Sequence, residues 1–236
     1  MKRLFLLVSA VWALSACDEK AAPQAFTPEM ASFSNEFEFD PLRGPVKEFT
    51  QTLFDEHDKA IKEVRARLSN EGCFDLIALD NREENTYGAW LLDANYYLDS
   101  ETHEKRLRLQ GKCQLAEMVS EGMKWEMDDN GFIVTSMGKK TKTSYRYDSE
   151  GFPLGKITTA KDARYAVTLT PSADSRQKLN YSAVLVSDDN PVGSVQQTCE
   201  YDDYYNPTRC EQQMVDNSVQ PPLTYHYTIK NTIEYY

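Results

Sequence analysis

The chain has 236 residues, with 26 basic against 37 acidic side chains and a net charge of −11. So acidic a chain argues against nucleic acid as a partner and against docking on anionic lipid headgroups, since both select clustered Lys and Arg. An apolar share of 41%, with 14 Tyr and 10 Phe, supplies a packed core and excludes a disordered chain.

Lys2 and Arg3 lead an apolar run from Leu4 to Leu14, the layout of a secretory signal and too short to span a bilayer comfortably. Leu14-Ser15-Ala16-Cys17 closes that run and resembles the lipobox of bacterial lipoproteins. The resemblance implies that residues 1–16 are a lipoprotein signal peptide and that Cys17 becomes the mature N-terminus. Cys17 would then carry an S-diacylglycerol on its sulfur and an N-acyl group such as palmitate on its amine. One acyl chain gives marginal, reversible attachment, whereas two or more hold stably. Cleavage removes Lys2 and Arg3 and no acid, so the charge falls from −11 to −13. The lipid, not a basic patch, would hold this body at the membrane. Asp18 follows directly and resembles the signal that retains enteric lipoproteins in the inner membrane. That predicts a cell-membrane protein facing the periplasm.

Residues 17–43 read as the lipidated N-terminus and a tether. Ala21-Ala22-Pro23 is linker-like, and Thr27-Pro28-Glu29 predicts one capped helical turn with proline at its first position. Phe33, Phe37 and Phe39 suggest that the tether ends by lying on the body. Residues 44–236 read as a single β-rich periplasmic domain, because short runs rich in Tyr, Val, Ile, Thr and Phe alternate with Asp/Asn/Gly clusters. Ala60–Leu68 fits either period, with Val64, Ala66 and Leu68 favouring a strand. Tyr87–Leu98 and Lys105–Leu115 are expected as two strands around the turn Asp99-Ser100-Glu101-Thr102. Strand alternation recurs at Tyr165–Leu169 and Tyr225–Ile229. The predicted fold class is mostly β, an antiparallel hairpin meander, with two packed sheets as one way of arranging it.

Setting Cys17 aside leaves Cys73, Cys113, Cys199 and Cys210, an even number in an oxidising compartment and hence two disulfides. Cys199 and Cys210 are equidistant from the middle of the turn Asp202–Pro207, so in a hairpin they face each other. Cys73–Cys113 follows by elimination. On the loop-entropy account the shorter loop contributes about 3 kcal/mol and the longer about 4 kcal/mol. A zinc site is disfavoured by the absence of CxxC spacing.

A short repeat punctuates the second half. Tyr147-Asp148-Ser149-Glu150-Gly151-Phe152-Pro153 aligns with Tyr201-Asp202-Asp203-Tyr204-Tyr205-Asn206-Pro207 and, more loosely, with Met127–Phe132. The aspartate caps the turn and the glycine, whose place Tyr205 takes in the second copy, supplies a positive φ. These segments resemble the YD repeats of Rhs-type β-rich proteins, which implies hairpins and no activity. The segments Phe26–Asn35, Phe39–Lys47, Leu92–Tyr97, Leu109–Leu115 and Tyr227–Ile233, spread over nearly the whole mature chain, resemble the YnfC-like family of uncharacterised enterobacterial lipoproteins. The resemblance implies a lipid-anchored envelope protein and no reaction.

Chemistry-bearing patterns are sparse. His57, His103 and His226 lie far apart without ligand spacing, and no HExxH or Gly-x-Ser-x-Gly occurs. Asp128 and Asp129 read as turn formers, not as a glycosidase pair. Glu126, Asp128, Asn130 and Gly131 start like a calcium loop, but Met137 stands where its bidentate acid is due. Asp202 and Asp203 beside Tyr201, Tyr204 and Tyr205 form either a hairpin core or a sugar- or peptide-binding patch, with the core reading favoured. No catalytic residue, metal or cofactor is therefore expected. The reading is a non-enzymatic envelope lipoprotein that presents a β-rich surface to a periplasmic protein. A small-molecule or glycan-binding protein is the alternative, and an enzyme of unrecognised type the third. Alkylation of the unreduced mature protein is expected to label none of Cys73, Cys113, Cys199 or Cys210 in intact-mass spectra; four labelled thiols would overturn the pairing.

Overall fold

The structure, a computed structural model, describes residues 22–236, so the lipobox, Cys17 and Asp18 lie outside the described residues. The strands are β1 (Val46–Phe54), β2 (Ala60–Leu68), β3 (Phe74–Asn81), β4 (Thr86–Asp93), β5 (Tyr96–Asp99), β6 (Lys105–Gln110), β7 (Gln114–Met118) and β8 (Met123–Met127). They continue as β9 (Ile133–Met137), β10 (Lys142–Tyr147), β11 (Pro153–Thr159), β12 (Arg164–Pro171), β13 (Tyr181–Ser187), β14 (Asn190–Tyr201), β15 (Pro207–Asp216) and β16 (Leu223–Tyr235). Each pairs antiparallel with its sequence neighbours, and β1 pairs with β16 from Val46↔Tyr235 to Phe54↔Thr228. The expected meander is there, but it closes into one barrel and not into two packed sheets. A meander has only two edges, and joining first strand to last removes both.

One turn design is used repeatedly. In Asp128–Phe132, Asp148–Phe152 and Asp202–Asn206 the leading carboxylate Oδ1 accepts from the backbone N–H groups two and four residues on. The fourth residue has positive φ in each, at Gly131, Gly151 and Tyr205. The same bonding recurs at Asp55–Lys59, where Asp58 takes that position. The two strands expected around Asp99 are each split into a hairpin. Ala94, with φ of 50°, turns β4 into β5, and Gly111, with φ of 57°, turns β6 into β7. Gly155 is dictated by close approach: at φ of 106° an added Cβ would stand 2.0 Å from the Val167 carbonyl oxygen.

The outer wall is charged along the strands. Glu48 on β1 faces Arg67 on β2, while Arg209, Glu211, Lys230 and Glu234 stud β15 and β16. Each Arg or Lys on the lipid face of a membrane barrel costs about 2–4 kcal/mol at the midplane. This wall belongs in water.

The inner wall is apolar on one half and packs against a segment threaded through the lumen. Helix α1 (Pro28–Phe37) is capped by the Thr27 hydroxyl, which accepts from the Met30 N–H at 3.2 Å. It extends far beyond the single turn expected, because burial and not propensity holds a short helix. Phe33 stacks on Phe74 at 4.4 Å and meets Tyr97 edge-on, while Phe37 packs on Trp90. Glu38 ends the helix in the left-handed region, and the chain returns through Phe39, which packs on Phe49. Arg43 and Asn206 then lock the plug to the wall: the Arg43 N–H donates to Asn206 Oδ1 at 2.7 Å, and Asn206 Nδ2 donates to the Arg43 carbonyl at 2.8 Å. Residues 26–43, read from sequence as the far part of a tether, are thus a plug. The apolar spacing of Phe33, Phe37 and Phe39 fits a lumen and not a free linker. Phe33→Ala should destabilise the fold by about 3–5 kcal/mol in urea unfolding, whereas Tyr87→Ala, at a 66% exposed residue, should change it by less than about 0.5 kcal/mol.

Candidate functional site: the half-filled lumen

The plug leans on the β2–β10 side, where Val64, Ile77, Tyr97, Leu107, Trp125 and Tyr145 join its core. Opposite it, towards β11–β16, a cavity of about 370 Å³ remains. Its lower wall is Phe152 and Leu179, and it reaches Leu53 and Lys62 beside the β1–β2 turn at the other end. Tyr227 and Tyr225 continue the inward face of β16 above the lining residue Ile229, and Tyr165 continues that of β12 above Val167, because alternate residues share a face. Tyr225 and Tyr227 stack at 6.3 Å, and Tyr165 is 55% exposed. The mouth is therefore rimmed by tyrosine.

The returning arm of the plug puts Asp40 against the cavity, 9% exposed. Its backbone N–H donates to Gln51 Oε1 at 2.8 Å, and Gln51 Nε2 donates to Asn231 Oδ1 at 2.9 Å. Among the described residues its carboxylate takes one hydrogen bond, from Gln197 Nε2 at 3.0 Å, and pairs with no cation. Gln197 is itself held, its Oε1 accepting from Gln212 Nε2 at 2.8 Å and from the Tyr181 hydroxyl at 3.2 Å. Burial pushes the Asp40 carboxyl up from its ordinary 3.8 to about 6, opposed by the Gln197 bond.

A second charged group sits at the plug's apex. Lys156 Nζ donates to Glu38 Oε1 at 2.8 Å, and Lys62 Nζ donates to the Glu38 carbonyl at 2.9 Å. Burial pushes the Glu38 carboxyl up, but Lys156 and then Lys62 outweigh it and hold the carboxyl below its usual range. Its side chain is nonetheless 65% exposed. A group at the bottom of an open funnel is both surrounded by protein and wet, so water enters the lumen from this end. The lumen thus holds one ion-paired carboxylate near water and one unpaired carboxylate beneath it.

The residues singled out from sequence lie elsewhere. Cys73–Cys113 and Cys199–Cys210 are bonded, the second pair directly opposite across β14 and β15 with Cα atoms 4.0 Å apart. Cys73–Cys113 ties the β2–β3 turn to the β6–β7 turn. His57, His103 and His226 are exposed and separate, and among the described residues no three His, Cys, Asp or Glu side chains gather as a metal site. Asp202 is occupied by its turn and by the Tyr235 hydroxyl, and Tyr204 stacks on Tyr235 at 4.1 Å, so this cluster ties the β14–β15 turn to the end of β16. Asp40, Glu38, Lys62, Lys156 and Gln197 were not found from sequence. The available signal was an acid set among Phe37, Phe39, Pro41 and Leu42.

The profile of the uncharacterised protein family UPF0257 matches residues 1–236. The chain is 55% identical over 236 residues to the UPF0257 lipoprotein YnfC of Salmonella typhi, covering all of both chains. The same identity and coverage hold for the YnfC lipoprotein of Salmonella typhimurium. Among solved structures, a porin-like protein from Bacteroides uniformis aligns with a TM-score of 0.48 and 9% identity, over 80% of this chain and 96% of that one.

The Asp40 carboxyl fixes a pH dependence. Its folded-state pKa is raised, so its contribution to stability is full below about 3.8 and is lost as pH rises through about 6. Asp40→Asn removes that titration. The stability of the variant relative to the parent should rise by about 2 kcal/mol between pH 4 and pH 8 in urea unfolding; a difference that does not move with pH would reassign Asp40 as solvated.

Proposed function

We propose a role from one premise: the chain belongs to the uncharacterised protein family UPF0257. It acts as a lipid-anchored envelope protein that works by binding and not by catalysis. The lumen carries this reading. A water-facing barrel has no structural need for a wetted, tyrosine-rimmed cavity in its interior, and a cavity with a few placed polar groups is the usual form of a small-molecule site. The relatives' description as lipoproteins and the Leu14-Ser15-Ala16-Cys17 tetrapeptide support anchoring through Cys17.

The anchor also orients the barrel. The Phe26 N–H donates to the Glu150 carbonyl in the β10–β11 turn, at the end where the plug goes in. From Cys17 to Ala25 there are nine residues, which reach at most about 30 Å. That end stays near the membrane, and the tyrosine-rimmed mouth faces away from it, into the periplasm. A periplasmic protein docking at the same mouth is the second reading, supported by the exposure of Tyr165, Leu223 and Tyr225 there. Asp18 supports the inner membrane as the address.

Cys17→Ser is expected to release the folded protein from membranes into the soluble periplasmic fraction. Asp18→Ser should shift the lipidated protein to the outer-membrane band of a sucrose gradient. A Cys17→Ser protein that stays with the membrane would overturn the anchoring.

A further inference from the structure

We propose that the lumen binds a small organic cation, a primary amine on an apolar body, whose ammonium pairs with Asp40 and whose body fills the space between the plug and β11–β16. This deepens the binding reading above and rests on it.

Three observations converge on one chemistry. The floor carries a carboxylate that the fold leaves without a counter-ion. Two lysines lie nearby, but Lys156 is bonded to Glu38 and Lys62 to the Glu38 carbonyl, both at the apex above. Placing a carboxylate deep in a protein without a cation is costly, and the group gains from any partner that brings one. Its raised pKa reflects that unmet demand. Next, the wall beside Asp40 is mostly apolar, with Phe39, Val64, Phe152, Val167, Leu179 and Ile229 around the polar Gln51, Tyr181 and Gln212, while Lys62 and Lys156 line the cavity at its Glu38 end. Such a wall rejects a hydrated inorganic ion and admits an organic body. Finally, the path in passes Tyr165, Tyr225 and Tyr227, whose ring faces attract cations and tolerate apolar groups. An anionic ligand would meet Asp40 with like charge. A neutral one would leave the carboxylate unpaired.

The neighbours of Asp40 are suited to this exchange. Gln197 is pinned by Gln212 and Tyr181, and also donates to the Leu179 carbonyl at 3.2 Å, so it holds one carboxylate oxygen in place. The backbone of Asp40 is fixed through Gln51. The carboxylate is thereby presented in one orientation, and little ordering is left for the ligand to bring about.

The test is titration calorimetry on the full lipidated chain in detergent micelles, with tryptamine and phenethylamine as amines, tryptophol as the neutral counterpart and indole-3-acetate as the anionic one. Asp40→Asn in the same micelles corrects for partition. Tryptamine should bind saturably, at least tenfold more tightly than tryptophol, with no binding of indole-3-acetate. Asp40→Asn should cost tryptamine at least tenfold and leave tryptophol unchanged. Val167→Phe, which narrows the cavity and leaves the carboxylate, should weaken both amines and tryptophol together. Equal affinity for tryptamine and tryptophol, or full tryptamine affinity in Asp40→Asn, overturns the cation assignment while the binding reading stands. No saturable binding of any of the four probes overturns both.

Discussion

Everything in this molecule depends on how the barrel's interior is filled. A closed sheet of sixteen strands encloses more space than its own side chains occupy, and barrels of that size elsewhere hold water or a plug. Here the solution is the chain's own residues 26–43. Phe33 and Phe39 insert between Phe74, Tyr97 and Phe49, and the Arg43–Asn206 pair closes the arrangement. Without that insertion Ile77, Leu107 and Trp125 would line a wet lumen. The strands and the plug are each unable to bury their apolar faces alone.

The plug is too small and too one-sided to fill the space evenly. Strands β5, β7, β8 and β9 have four or five residues, whereas β14, β15 and β16 have ten to thirteen. The helix packs against the short-stranded half, where the wall is densest in Leu, Trp and Tyr. At the bottom of the other half Phe26 and Ala31 of the plug join Phe152 and Leu179 in a second buried cluster; above it the long strands stand away from the plug, and their inner face turns polar at Gln197, Gln212 and Asn231. Cavity and core are therefore two consequences of one asymmetry. The polarity is also reversed from that of a membrane barrel, with charge outside and apolar groups within, so strand closure here serves enclosure and not passage through lipid.

Much of this was legible in the sequence, and what was missed has a common cause. The antiparallel meander, the strand at Ala60–Leu68 and three of the aspartate turns are written in local pattern. So is the facing of Cys199 and Cys210. A fourth turn of the same build, Asp55–Lys59, escaped because it lacks both the glycine and the Tyr-Asp…Pro frame that marks the Asp202 turn, and side-chain capping by Asp55 is enough to hold Asp58 at positive φ. Closure of the barrel escaped because it joins residues some 180 positions apart, and no window of sequence contains both. The plug escaped for a related reason. Helix α1 contains two serines, an asparagine and three phenylalanines or methionines with no strong helix former at its centre, so local propensity understates it, and only the wall around it explains why it forms. The polar site was invisible because its members come from the plug, β2, β11 and β14, and none is part of a motif.

Connectivity gives the lumen its meaning. The segment that forms the cavity floor is the one that leads directly to the N-terminal end of the chain, where Cys17 lies. With Cys17 as the proposed anchor, floor and anchor share one end of the barrel and the open end lies at the other. On that proposal a ligand entering past Tyr165 and Tyr225 comes from the aqueous side and not from the bilayer. That geometry sets this barrel apart from a lipid carrier, whose opening has to reach the membrane, and agrees with a floor built for charge. The Asp40 carboxylate costs stability whenever it is ionised, and a group of that kind persists in a fold when something other than the fold makes use of it. An apolar residue in its place would join Phe39 and Leu179 in a drier core. Its position at the floor of the cavity, and not elsewhere in the plug, ties that cost to a space that opens to water.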